Sequence, residues 1–274
     1  MALKSLIRSI TPRVLLDFAR SYRQDRTRNW EGIYAHYRDV PVSGDGFESQ
    51  EWLQTVQRHA ENVIQASALK GQLPVIAGEN ALLPLLAAAV GQESGRVQVL
   101  DFGGGLGHGF VHLRSSLADG ASIDYHIVDT ARTCQAGAAL FAGDARVHFH
   151  PALPAELTGV DIVYNGSTLQ YIEDYSGLLR ALCAYQPAWF LFANLSAGYI
   201  PTFATGQKNM PKSVVAYWFI NLDEIVSLMA DNGYALKVKF GSERTYRQDN
   251  FPKPYRIQHT CNVLFARSAP AESQ

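Results

Sequence analysis

Apolar residues recur along this chain at two different periods. Between Glu51 and Lys70, the residues Leu53, Val56, Ala60, Val63 and Ile64 fall on one face of a helix. A shorter apolar helix is expected over 80–90, buried. From Val97 the pattern changes to short apolar runs alternating with helical ones. It predicts strands over 97–102, 122–128, 146–150, 160–164 and 189–195, and helices over 109–117, 130–141 and 175–185. Strands alternating with helices imply a parallel sheet covered on both faces. The stretch 196–212 is polar and reads as irregular. A helix over 221–232 and strands over 234–240 and 261–266 follow it. Two late strands with no helix between them point to an antiparallel edge. The segments 30–34 and 40–46 read as a turn-rich connection. The expectation is an α/β, Rossmann-like fold with a mostly parallel seven-stranded sheet and an antiparallel edge strand. Residues 96–270 would form one compact core and residues 1–95 a helical cap over its ligand.

Size and composition narrow the class. A chain of 274 residues, 47% hydrophobic, can bury one substantial core. Its net charge of −1 carries no basic excess of the kind that nucleic acid attracts. Cys134, Cys183 and Cys261 are few, odd in number and far apart, so a reducing cytoplasm is the simplest reading. No apolar run is long enough to span a membrane, and the first ten residues, broken by Arg8, do not form a signal peptide. Residues 1–30 are locally basic, with Leu3, Leu6, Ile7, Ile10 and Val14 at helical spacing. Two readings stand: a helix packed on the domain with its basic face in water, or a peripheral contact with an anionic membrane surface or lipid-linked substrate. Pro12 interrupts the helix and favours the first.

The candidate chemistry centres on Val99-Leu-Asp-Phe-Gly-Gly-Gly-Leu-Gly107, at the end of the first core strand. Ligands of open α/β sheets bind at the carboxyl ends of the strands. Gly103, Gly104, Gly105 and Gly107 let the backbone turn sharply and approach a ligand. The helix that follows offers free N–H groups and its positive end. A pyrophosphate would suit such a turn, but Asp101 would repel it. A carboxylate there suits the ammonium group of S-adenosylmethionine. Asp129 ends the second strand roughly 20 residues beyond Gly107, the spacing of an acid that holds ribose hydroxyls. His150, at the end of the third strand, is placed to approach the adenine. Asn165 and Ser167 end the fourth strand and are expected near the sulfonium. His108 and His112 share a helix face but lack a third ligand, so no metal is expected there.

At these residues the chain resembles the class I methyltransferases encoded among surface-polysaccharide and O-antigen biosynthesis genes. The resemblance runs through Trp30-Glu-Gly-Ile-Tyr34, the glycine loop, Asn165-Gly-Ser-Thr-Leu-Gln-Tyr-Ile172, Phe203-Ala-Thr-Gly-Gln-Lys-Asn209 and Tyr217-Trp-Phe-Ile-Asn221. It implies S-adenosylmethionine as cofactor and a sugar-related acceptor, a small molecule or a glycan. Methylation of a sugar hydroxyl is helped by a base. The candidates are His108, Tyr171 and Gln207, with Gln170, Asn209 and Tyr217 on the acceptor side and 196–212 as a covering loop. Two rivals remain: an NAD-dependent oxidoreductase of a nucleotide sugar, and a non-catalytic module in polysaccharide assembly.

Overall fold

The computed structural model describes residues 29–67, 76, 78–118, 121–210 and 213–268. The basic segment up to residue 28, with its membrane reading, lies outside the described residues. In chain order the strands and helices are β1 (Trp30–Tyr34), α1 (Gln50–Ser67), α2 (Leu82–Ser94), β2 (Arg96–Phe102), α3 (His108–Ser116), β3 (Ser122–Val128), α4 (Ala131–Leu140), β4 (Val147–His150), β5 (Ile162–Gly166), α5 (Tyr175–Cys183) and β6 (Trp189–Leu195). Then come β7 (Ala197–Gly198), β8 (Phe203–Met210), β9 (Ser213–Asn221), α6 (Leu222–Asp231), β10 (Tyr234–Gly241) and β11 (Cys261–Arg267).

Seven strands form the core sheet in the order β10-β11-β6-β5-β2-β3-β4. All pairings from β6 to β4 are parallel. The reversed strand is β11, which runs antiparallel to both β6 and β10. The expected antiparallel pairing therefore lies at that edge, with the reversed strand one place in. Sequence order departs in opposite directions from β2 and β5, which makes their carboxyl ends the switch point where such sheets bind ligands.

The strands read as apolar runs because helices bury both faces of the sheet. One face packs Leu100, Val163, Phe190 and Phe265 against Leu179 and Leu182 of α5 and Ile225 and Met229 of α6. The other packs Val97, Val99, Ile123 and Ile162 against Phe110 and Leu113 of α3 and Leu83 and Ala87 of α2. Local chemistry sets the helix starts. Thr130, Asp174 and Asn221 each accept a backbone N–H at the mouth of α4, α5 and α6.

A second sheet corrects two expectations. It has the order β1-β8-β9-β7. The stretch expected to be irregular, 196–212, holds a strand over 203–210, because β8 lies between β1 and β9, antiparallel to both. Residues 30–34 are a strand rather than a turn-rich connection: Trp30 pairs with Gln207 and Tyr34 with Ala204. The polar composition of Thr205-Gly-Gln-Lys208 concealed a central strand whose residues 203–207 are all buried. The three cysteines are free thiols. No helix among the described residues is long and apolar enough to cross a membrane.

Candidate functional site

The turn after β2 is pinned from beneath. The Gly103 N–H donates to Val128 O (2.7 Å), and the Gly105 N–H to Asp129 Oδ2 (3.0 Å). Asp129 Oδ1 accepts the Thr130 N–H at 2.7 Å, so this carboxylate ties β3 to the turn. Two glycines are required. A Cβ at Gly104 would land on the Asp101 carboxylate, and Gly105 has φ +56° with open space around it.

Above this turn lies a cleft lined by Asp101, Gly103, Gly104, Gly105, His108, Gly109, His112, Tyr164, Gly166, Ser167 and Asn194, with Asn80 and Leu83 from the preceding segment. Asp101 is 1% exposed. Its Oδ2 accepts the Tyr125 hydroxyl at 2.7 Å, and its Oδ1 has no hydrogen-bond partner. Burial pushes the Asp101 carboxyl up to about 7, against the Tyr125 hydrogen bond, which lowers it, and with the nearby Asp129 charge, which raises it. His108 stacks on His59 of α1 with ring centroids 4.8 Å apart, and its Nε2 is buried without a partner. Burial, then His59 and His112, holds the His108 imidazole down at about 4, so it is neutral at neutral pH. Two residues lining one cleft thus each hold an unsatisfied buried polar atom, which costs about 1–3 kcal/mol unless a ligand pairs it.

Backbone strain gathers at the same place. Among the described residues, three non-glycine positions have a left-handed backbone, and two of them, Ser167 (φ 61°) and Asn194 (φ 54°), line the cleft. Each such conformation costs on the order of 1–3 kcal/mol. Both sit where a parallel strand ends, β5 and β6. Ser167 is further held by Arg244, whose guanidinium donates to its Oγ at 3.2 Å.

The structure brings Asp101, Gly103, Gly104, Gly105, His108 and Ser167 together. Asp129 adjoins them through its bond to the Gly105 N–H, while several other residues expected from the sequence do not line this cleft. Gly107 is buried under the turn, with Phe141 where a Cβ would be. Asn165 clamps two strand ends: its Nδ2 donates to Phe102 O (3.0 Å), and its Oδ1 accepts the Thr168 and Leu169 N–H groups. His150 stacks on His126 rather than standing alone at its strand end. Burial lowers the pKa of His150.

Tyr171, Gln207 and Tyr217 form a second group. The Tyr171 hydroxyl donates to Gln207 Oε1 at 2.8 Å, and the Tyr171 and Tyr217 rings meet edge to face at 4.9 Å. Tyr217 is fully buried, against Trp30 and bonded to Ser196 and Tyr246. Burial drives the Tyr171 phenol well above its ordinary value, so the hydroxyl keeps the proton it donates to Gln207. Gln170 is buried with Oε1 unpaired. The side chain of Asn209 lies outside the described residues. Sequence reading missed Asn194, His59 and Arg244. Asn194 could have been found by applying the strand-end rule to β6. The other two have no local signal.

No protein-family model and no curated protein matches this chain. Solved structures do. A Listeria monocytogenes protein assigned to the S-adenosylmethionine-dependent methyltransferases superposes over 70% of this chain and 99% of its own, with a TM-score of 0.51 and 13% identity. A 1,6-didemethyltoxoflavin N1-methyltransferase from Burkholderia thailandensis, with S-adenosylhomocysteine bound, aligns over 84% of this chain and 93% of its own (TM-score 0.49, 14% identity). Identities this low speak to architecture alone. The chain has the Rossmann-like fold of class I methyltransferases.

Proposed function

We propose that this chain is an S-adenosylmethionine-dependent methyltransferase acting on an oxygen of a sugar-related acceptor. One observation carries the reading: Asp101 and His108, which line one cleft at the switch point of the sheet, each hold a buried polar atom without a partner, Oδ1 and Nε2. The Asp101 side of this cleft fits the cofactor's amino-acid end. Asp101 Oδ1 would accept from the ammonium group, and the N–H groups of the first turn of α3 would meet the carboxylate. Asp129 retains lone pairs for ribose hydroxyls beyond the two N–H groups it already holds. The bound cofactor supplies an electrophilic methyl group on a sulfonium.

The chain's own contribution is alignment and exclusion of water. Asn80 and Leu83 reach the cleft from the segment before the core, which acts as its cap. His108, neutral at neutral pH, would take the acceptor's hydroxyl proton. Tyr171 and Gln207 would form the wall behind it. The sugar-related acceptor is supported by the stretches Gly166-Ser-Thr-Leu-Gln-Tyr171 and Phe203-Ala-Thr-Gly-Gln-Lys-Asn209.

Thermal unfolding with S-adenosylhomocysteine and with NAD tests the cofactor, since a ligand of the native state raises the midpoint. The expected result is a rise with S-adenosylhomocysteine and none with NAD. A rise with NAD alone would overturn the reading. Transfer of label from methyl-tritiated S-adenosylmethionine to a panel of glycans and nucleotide sugars then tests the acceptor class.

A further inference from the structure

The edge of the core sheet carries three histidines and an aspartate on one face. Residues two apart on a strand share a face, so Asp124 lies with His126 on β3, and His148 with His150 on β4. The parallel register sets His126 beside His148. The imidazoles stack, with the His126 ring centroid 4.7 Å from His148 and 5.2 Å from His150. Asp124 Oδ1 lies 3.0 Å from His126 Nε2 and 3.2 Å from His148 Nε2. His126 is 9% exposed, yet its Nε2 makes no hydrogen bond, so the approach to Asp124 has the distance of one without its direction.

We propose that Asp124, His126 and His148 bind a zinc-type divalent cation. Two imidazole nitrogens and one carboxylate oxygen are a zinc donor set. Bonds of about 2.0–2.2 Å around a tetrahedral centre place the donors roughly 3.3 Å apart. Two of the three pairs already have nearly that spacing, and all three atoms lie within 4.8 Å of one another. Rotation of the His148 side chain, 43% exposed, closes the third pair.

The surroundings match those of metal ligands. His126 Nδ1 is 3.0 Å from His150 Nε2, the outer-shell hydrogen bond that fixes the tautomer of a ligating imidazole. Arg96 donates to Asp124 Oδ2 at 3.0 Å, which orients the carboxylate and leaves Oδ1 for the cation. A fourth position is left for water beside exposed His148. The cation would fasten the terminal strand of the sheet to its neighbour, next to the Asp129 N–H that donates to His150 O at 3.2 Å.

The test uses the full chain stripped with a chelator and titrated with zinc and with cobalt. Calorimetry should give one equivalent of zinc, and cobalt should give the intense visible absorption of a tetrahedral site. His148→Ala and Asp124→Asn should each weaken zinc at least tenfold and abolish the cobalt spectrum. His150→Gln should weaken zinc by roughly 10–100-fold, as loss of an outer-shell partner does. His259→Ala, at an exposed histidine elsewhere, should change nothing. No stoichiometric binding by the wild-type chain, or equal binding by all variants, would overturn the proposal. The wild-type cobalt spectrum decides independently of how any variant folds.

Discussion

Asp101 is a carboxylate held where water cannot reach it, with one oxygen satisfied by Tyr125 and one by nothing. An ammonium group facing Oδ1 would remove that cost. Asp101→Asn keeps the shape and removes the charge. It should weaken S-adenosylhomocysteine by roughly 10–100-fold, since a charge-assisted bond contributes about 1.5–3 kcal/mol. Because burial pushes this carboxyl up to about 7, binding should release a proton below that pH. Wild-type affinity should then fall by roughly tenfold per unit of acidification, and the variant's should stay flat. Calorimetry in buffers of different ionisation enthalpy measures both. Unchanged affinity in Asp101→Asn would end this assignment. His108→Gln separates chemistry from binding. Turnover should drop by roughly 10²–10⁴-fold, the usual contribution of a positioned base, with cofactor affinity little changed.

At the scale of elements, the second sheet carries Gln207 and Tyr217, against which Tyr171 packs, and β1 is its outer strand. Trp30 is 4% exposed and packs on Tyr217, Phe219 and Tyr246. Trp30→Ala should therefore lower stability by about 3–5 kcal/mol, read from denaturant unfolding. A loss below about 0.5 kcal/mol, typical of a surface position, would mean that β1 does not seal this sheet. The core strands were legible because both of their faces are buried, so their sequences are nearly unbroken apolar runs. The glycine turn was legible because its backbone needs are written in residue type. The second sheet was not. β8 is paired on one side with β1, far away in sequence, and its polar residues are satisfied by that pairing: Thr205 Oγ1 donates to Gly32 O at 2.8 Å. Asn165 was legible as important but not in its role. Nothing local distinguishes a clamp between strand ends from a ligand contact.

For the whole molecule, the two buried groups of the cleft pull stability in opposite directions with pH. His108 is held down at about 4, so between there and its ordinary 6.5 the unfolded chain binds a proton that the native chain does not. Its contribution is present above 6.5 and is lost as the pH falls through that window. Asp101 is pushed up to about 7 from an ordinary 3.8, so there the native chain binds the extra proton. Its contribution is greatest in acid and is lost as the pH rises from 3.8 through about 7. The groups facing them are His59 and His112 for His108, and Tyr125 and Asp129 for Asp101. In the wild type the two slopes partly cancel across the shared window. Each variant should expose the other's slope. The midpoint of His108→Gln should decline relative to wild type as the pH rises from 4 to 6.5, and that of Asp101→Asn should rise relative to wild type over the same range. Thermal unfolding of the three proteins without cofactor, in one buffer series, reads both differences at once. If the two difference curves sloped in the same direction, one of the two groups would not be buried in the state it holds here, and the cleft would have to be rebuilt around the other.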